Sequence, residues 1–139
     1  MSLKIKLGPN EVLFIGQAQI RNGSVEADLA IEGDDIPVLR QKDRIPVSLT
    51  NTPCQRLHIL IEKMYLERIN LYIDKYIEDV KKIEEAAPSL KIYIALVSER
   101  VLSGELYQAL KRMKAVIEHE RILIDLQLGQ AQKSSEKLN

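Results

Sequence analysis

The hydrophobic period of this chain changes once, between about residues 40 and 52, and that change limits the folds open to it. From Leu3 to Leu39 apolar residues recur at every second position in short runs, whereas from Thr52 onward they recur at every third or fourth. A period of two sends side chains alternately to the two faces of a strand, and a period near 3.6 draws a stripe along a helix. The expected class is therefore α+β, with a small N-terminal antiparallel β-meander packed with a C-terminal bundle of about four α-helices.

In the first part, Leu3, Ile5 and Leu7 alternate with Lys4 and Lys6, and Gly8-Pro9-Asn10 breaks the run. Val12 to Ile15 is a second strand ending at Gly16, and Ala18 to Arg21 a third. Asn22-Gly23 follows, a dipeptide that accommodates the positive φ angles of a type I′ turn, so a hairpin is expected there. Val25, Ala27, Leu29 and Ile31 resume the alternation, and Gly33-Asp34-Asp35 closes it before Ile36 to Leu39. Such a meander of four or five strands needs a cover for its apolar face.

In the second part, Thr52 is the expected N-cap and Pro53 the first helical residue, where a missing N–H is harmless. Leu57, Leu60, Ile61 and Met64 share a face of this first helix. A second helix is expected from about Asn70 to Ala87 with Ile73, Ile77 and Val80 as its stripe, and a third from Leu90 to about Leu102, set off by Pro88-Ser89. The last runs from Glu105 to about Gln127, with Leu106, Leu110, Met113, Val116, Ile117 and Leu123 at helical spacing. Residues 1–44 thus read as a β lobe and 45–128 as a helical lobe packed on it in one structural unit. Residues 129–139 lack periodicity and read as a disordered tail.

Composition excludes several functions. A chain of 139 residues is enough for one ordinary domain, and 20 Lys and Arg balance 20 Asp and Glu, so no whole-chain field attracts nucleic acid or an acidic membrane. A single cysteine makes no internal disulfide, the start lacks a cleavable signal pattern, and no apolar run approaches the roughly 18 residues of a membrane span. The expectation is a soluble, cytoplasmic protein without a membrane partner.

Cys54 and His58 stand four residues apart at the head of the first helix, the arrangement that opens some metal sites. Zinc needs at least three protein ligands, and the only other histidine is His119. Nucleophilic catalysis by Cys54 needs a base and thiolate stabilisation. A glycine-rich phosphate loop, GxSxG and HExxH are all missing from the sequence. Both residues therefore read as packing, and the chain as a binding protein with no catalytic residues, no metal and no cofactor.

The richest local text for binding is PVLRQKDRIPVSLTNTPCQR, residues 37–56. In an extended chain Arg40, Lys42 and Arg44 project to one side, and Arg56 follows on the first turn of the next helix, near its positive end. Four cations converging near the sheet-to-helix junction suit the phosphates of a ligand. Against them, residues 1–44 hold six Lys and Arg and seven Asp and Glu, so the lobe itself carries no positive surplus. Lys111, Arg112 and Lys114 form a second cluster that an ordinary solvent face would also produce. With one Phe, five Tyr and no Trp, stacking on bases is a poor route to single-strand binding.

The order of several segments resembles the FlbT family of flagellar biosynthesis regulators. The carriers are SLKIKLGPNE, GQAQIRNG, VLRQKDRI, the TP before a helix ending in MYL, and LYQALKRMKAVIEHE, together spanning about residues 2–124. The resemblance implies a cytoplasmic protein that binds the 5′ untranslated region of flagellin mRNA, represses its translation and promotes its degradation, and Arg21, Arg40, Lys42, Arg44 and Arg56 are then the candidate RNA-binding residues. The alternative is a protein adaptor for flagellin or another flagellar regulatory protein, affecting the mRNA indirectly, with Tyr107, Lys111 and Met113 as the candidate partner surface. An edge strand in a small sheet also leaves room for a homo-oligomer.

Overall fold

The computed structural model describes residues 2–68 and 72–137, with side chains described as far as residue 130. Five strands come first: β1 (Ser2–Leu7), β2 (Val12–Ile15), β3 (Ala18–Arg21), β4 (Ala27–Glu32) and β5 (Val38–Arg40). Four helices follow: α1 (Pro53–Glu67), α2 (Ile73–Ala86), α3 (Lys91–Leu102) and α4 (Leu106–Lys137). The α+β class is as expected; the pairing inside the β lobe is not a meander.

β1 pairs with β4 in a two-stranded sheet, while β2 lies between β3 and β5 in a three-stranded one, all antiparallel. The Asn22-Gly23 hairpin is therefore corrected. The tight turn is one step earlier, at Gly16 and Gln17 between β2 and β3, where Gly16 takes φ +55°. Asn22 serves a different purpose, its side-chain amide donating to the carbonyls of Leu7, Gly8 and Val25 at 3.2, 2.8 and 2.9 Å. It ties the end of β1 to the approach to β4, which completes the β1–β4 pairing in place of a β3–β4 hairpin.

The two sheets and the helices form three layers. Leu13 and Val38 of the three-stranded sheet pack with Ile5 and Leu7 of β1, whereas Leu39 and Phe14 pack with the helical core. β2 is thus covered on both faces, which explains its uninterrupted VLFI sequence. Tyr65 of α1 joins the layers: its hydroxyl accepts from Val38 N and donates to Val38 O, each at 3.0 Å.

α1 starts where its sequence dictates. Thr52 Oγ1 accepts from Gln55 N at 3.2 Å, and Gln55 Oε1 accepts from Thr52 N at 3.2 Å, so two orphan donors of the first turn are satisfied reciprocally. Arg68 closes the helix with φ +56°. Cys54, Leu57, Ile61 and Met64 pack with Ile94 and Val97 of α3 and with Ala109, Met113 and Val116 of α4 in one core.

Two helical expectations need correction, and a third lies outside the described residues. The start expected at Asn70 falls on residues 69–71, outside the described residues, and α2 is observed from Ile73. Of its expected stripe, Ile73 and Val80 pack half-buried on the helical core but Ile77 is exposed; Tyr76 and Ile83 are the buried positions, because α2 is gripped along the line 73, 76, 80 and 83, where the Tyr76 hydroxyl also meets Ser98 Oγ at 2.8 Å. α4 continues to Lys137 and not to about Gln127. An apolar period is needed to bury a face and not to keep a helix going; Ala, Gln, Lys and Glu extend an existing helix at one hydrogen bond per residue.

Candidate functional site

The five cations singled out from the sequence do not converge. Residues 40–44 are not extended, since a 3₁₀ turn at Gln41–Asp43 follows β5 and breaks the alternation. In the register of the three-stranded sheet Arg21 pairs with Val12 and Arg40 with Leu13, so the pleat sends the two arginines to opposite faces. Arg40 lies on the β1 side, where Nη1 donates to Lys6 O at 3.2 Å and stands 3.7 Å from Glu11 Oε2. Arg21 is exposed, with Nη1 3.4 Å from Asn10 O.

Arg44 turns to the other side, onto the helices. Its guanidinium lies over the Phe14 ring at 4.4 Å, and Nε donates to Glu62 Oε1 at 2.6 Å. Glu62 is fully buried and also accepts from Ile45 N at 3.3 Å and meets His58 Nδ1 at 2.7 Å. Burial by itself raises the Glu62 pKa, but the hydrogen bonds from His58, Arg44 and Ile45 outweigh it and hold the carboxyl below its ordinary range. Arg44 and His58 are thus the partners of a buried carboxylate. Glu62 itself was missed by sequence reading; its signal was the His58–Glu62 spacing of four on a face otherwise apolar.

Arg40 and Lys42 are brought together. With Glu11, Val12 and Gln41 they line a small pocket of about 410 Å³ at the edge of the β lobe. Lys42 makes no ion pair among the described residues. Arg56 is placed elsewhere, on the wall of a larger groove of about 1050 Å³ between α1, α2 and α4. That groove was not foreseen; the signal was an excess of apolar residues in α4, with Ile124 and Leu126 beyond what one buried stripe requires.

Cys54 is fully buried, with its backbone N donating to Glu120 Oε2 at 3.0 Å. Burial first, and then the hydrogen bond and charge of Glu120, push its thiol well above the usual range, so no thiolate forms near neutral pH. Among the described residues no group of three or more His, Cys, Asp and Glu is placed to hold a metal ion. Nor is any helix among them long and apolar enough to cross a membrane.

Of the candidate partner surface, Tyr107 is about one-third exposed, its ring 6.0 Å from that of Tyr65, and Lys111 Nζ lies 4.8 Å over it. Met113 is a correction. It is fully buried, because α4 turns that position toward α1 and α3, so it presents nothing to a partner.

Comparison with known proteins gives one consistent answer. The family described as flagellar protein FlbT matches residues 3–124. A relative from Rhodopseudomonas palustris (strain TIE-1), named a probable flagellum biosynthesis repressor protein FlbT, is 37% identical over 89% of this chain and 98% of its own length. One from Bradyrhizobium diazoefficiens with the same designation is 32% identical over 88% of this chain and 85% of its own. The flagellum biosynthesis repressor protein FlbT of Caulobacter vibrioides is 26% identical over 86% and 87%. No solved structure matches the chain significantly. With nearly the whole fold covered, from β1 into α4, this chain belongs to the FlbT family of flagellum biosynthesis repressors.

Proposed function

We propose that this protein restrains flagellin production at the level of the messenger, in the cytoplasm. It binds the 5′ untranslated region of flagellin mRNA, blocks translation and leaves the transcript to degradation by other enzymes; the chain itself carries no catalytic step. The repressor role of the family supports the direction of regulation. The observation that supports RNA contact is the joint placement of Arg40 and Lys42 on one concave edge of the β lobe, with Lys42 free to meet a phosphate.

Arg44 drops out of the contact set because its guanidinium is held by Glu62 and Phe14. Arg21 drops out too, because it projects from the opposite face; with Arg40 and Lys42 remaining, two phosphates are neutralised, and binding to single-stranded RNA weakens with a log–log salt slope of about −1.4. The test is a salt titration against a labelled flagellin leader and a scrambled RNA of equal length, with wild type and Arg40→Ala/Lys42→Ala. Preference for the leader, with the double variant weaker and its slope reduced by more than about half, is the expected result. Equal binding of both RNAs, or a double variant that binds like wild type, overturns the reading.

A further inference from the structure

We propose that the groove between α1, α2 and α4 is a docking site for an amphipathic helix of a partner protein, one with aliphatic residues along one face and Asp or Glu flanking them. This stands apart from the RNA reading, because Arg40 and Lys42 line a different pocket.

The shape sets the first condition. Ile59 of α1, Ile83 of α2 and Ile124 and Leu126 of α4 supply aliphatic surface, and Leu126 is 58% exposed. From Pro53 to Lys63 the α1 wall rises about 15 Å, enough for roughly three turns of a docked helix. Helix-in-groove recognition uses such a trough, filled by residues at i, i+3, i+4 and i+7. Among the described residues no aromatic side chain lines it, so these offer bases no stacking platform.

Charge selects the occupant. Lys75 and Lys82 on the α2 wall pair within their own helix, with Asp79 and Glu78 at 3.1 Å each. Arg56 and Lys63, exposed on the opposite wall, have no carboxylate partner among the described residues. Of the two acids lining the groove, Asp79 holds Lys75, and Glu120 is buried in the floor and accepts from Cys54 N. The rim therefore carries a positive surplus that acidic flanks complement. A second copy is a poorer occupant. Its exposed apolar stretch on α4, Ile122 to Leu128, has the neighbouring acids Glu118 and Asp125 already held by Arg121, and that on α3, Ile92 and Leu96, is flanked by Lys91 as well as by Glu99.

The test is selection of a phage-displayed library of helical peptides on the full chain, followed by anisotropy titration of the enriched peptides. Wild type, Arg56→Glu/Lys63→Glu and Leu126→Glu are compared, with circular dichroism to verify folding; all three positions are exposed, so the variants retain the fold. Expected are peptides with an aliphatic stripe and acidic flanks, each variant weakening them about tenfold and flank-reversed Lys peptides recovering affinity on the charge-reversed protein. Enrichment without that pattern, or peptides indifferent to both variants, overturns the proposal. So does a flagellin-leader RNA whose binding is lost on Arg56→Glu/Lys63→Glu while no peptide is enriched, an outcome that gives the groove to RNA.

Discussion

Arg44 Nε and Glu62 Oε1 are 2.6 Å apart, joining the segment after β5 to the middle of α1. The carboxylate is fully buried while the arginine side chain retains 28% exposure, so the pair lies at the rim of the interior. A buried charge is tolerated only when its lone pairs are used, and here Arg44, Ile45 N and His58 use them. Glu62→Gln is expected to lower unfolding stability by about 2 kcal/mol, and Arg44→Ala by a smaller amount because water reaches the vacated site. Urea denaturation checks both. Equal stability of Glu62→Gln and wild type would show that the carboxylate charge contributes nothing.

The same pair sets an acid limit. Because the folded-state pKa of Glu62 lies below its ordinary value of 4.5, the native state binds fewer protons than the unfolded chain in that range. The associated stability is fully present above about 4.5 and is lost as pH falls through the lower folded-state value. Wild type should therefore lose stability relative to Glu62→Gln on acidification below that point, and the two curves should converge. Parallel curves of stability against pH would remove Glu62 from the acid transition.

Cys54 should be silent to thiol reagents. Its side chain is fully buried, and burial with Glu120 nearby disfavours the thiolate. At mildly alkaline pH the labelling rate of the native protein by a disulfide reagent is expected to follow the rate of unfolding and to rise steeply in denaturant. Rapid stoichiometric labelling of folded protein would instead mean that the head of α1 opens locally.

Local signals were legible wherever they act within a few residues. The change of period gave the class, and Thr52-Pro53 placed the start of α1 to the residue, because a capping box needs only its own turn. Pairing between strands was not legible. Asn22-Gly23 is a good turn former, but the three carbonyls that Asn22 reaches draw β4 to β1, a long-range choice that the dipeptide does not reveal. The same limit applies to the basic strip. Arg40, Lys42 and Arg44 alternate in sequence, but the turn at Gln41–Asp43 and the buried carboxylate eighteen residues beyond Arg44 draw Arg44 away from the pocket that Arg40 and Lys42 share. Glu62 and the groove depend on packing between helices, of which one helix's stripe gives only half.

Met113 and Tyr107 separate core from surface on one helix. Six residues apart on α4, they point in different directions: Met113 is fully enclosed in the helical core, whereas Tyr107 is about one-third exposed beside Lys111. Truncating a buried methionine removes its transfer energy and leaves a cavity, so Met113→Ala should lose about 2 to 4 kcal/mol. Tyr107→Ala should lose no more than about 1 kcal/mol, since its ring contacts are at the edge and water replaces them. Thermal or urea denaturation of the two variants decides the matter. A Met113→Ala protein as stable as wild type would mean that α4 is not anchored between α1 and α3, and the groove that α4 shares with α1 and α2 would lose its fixed wall.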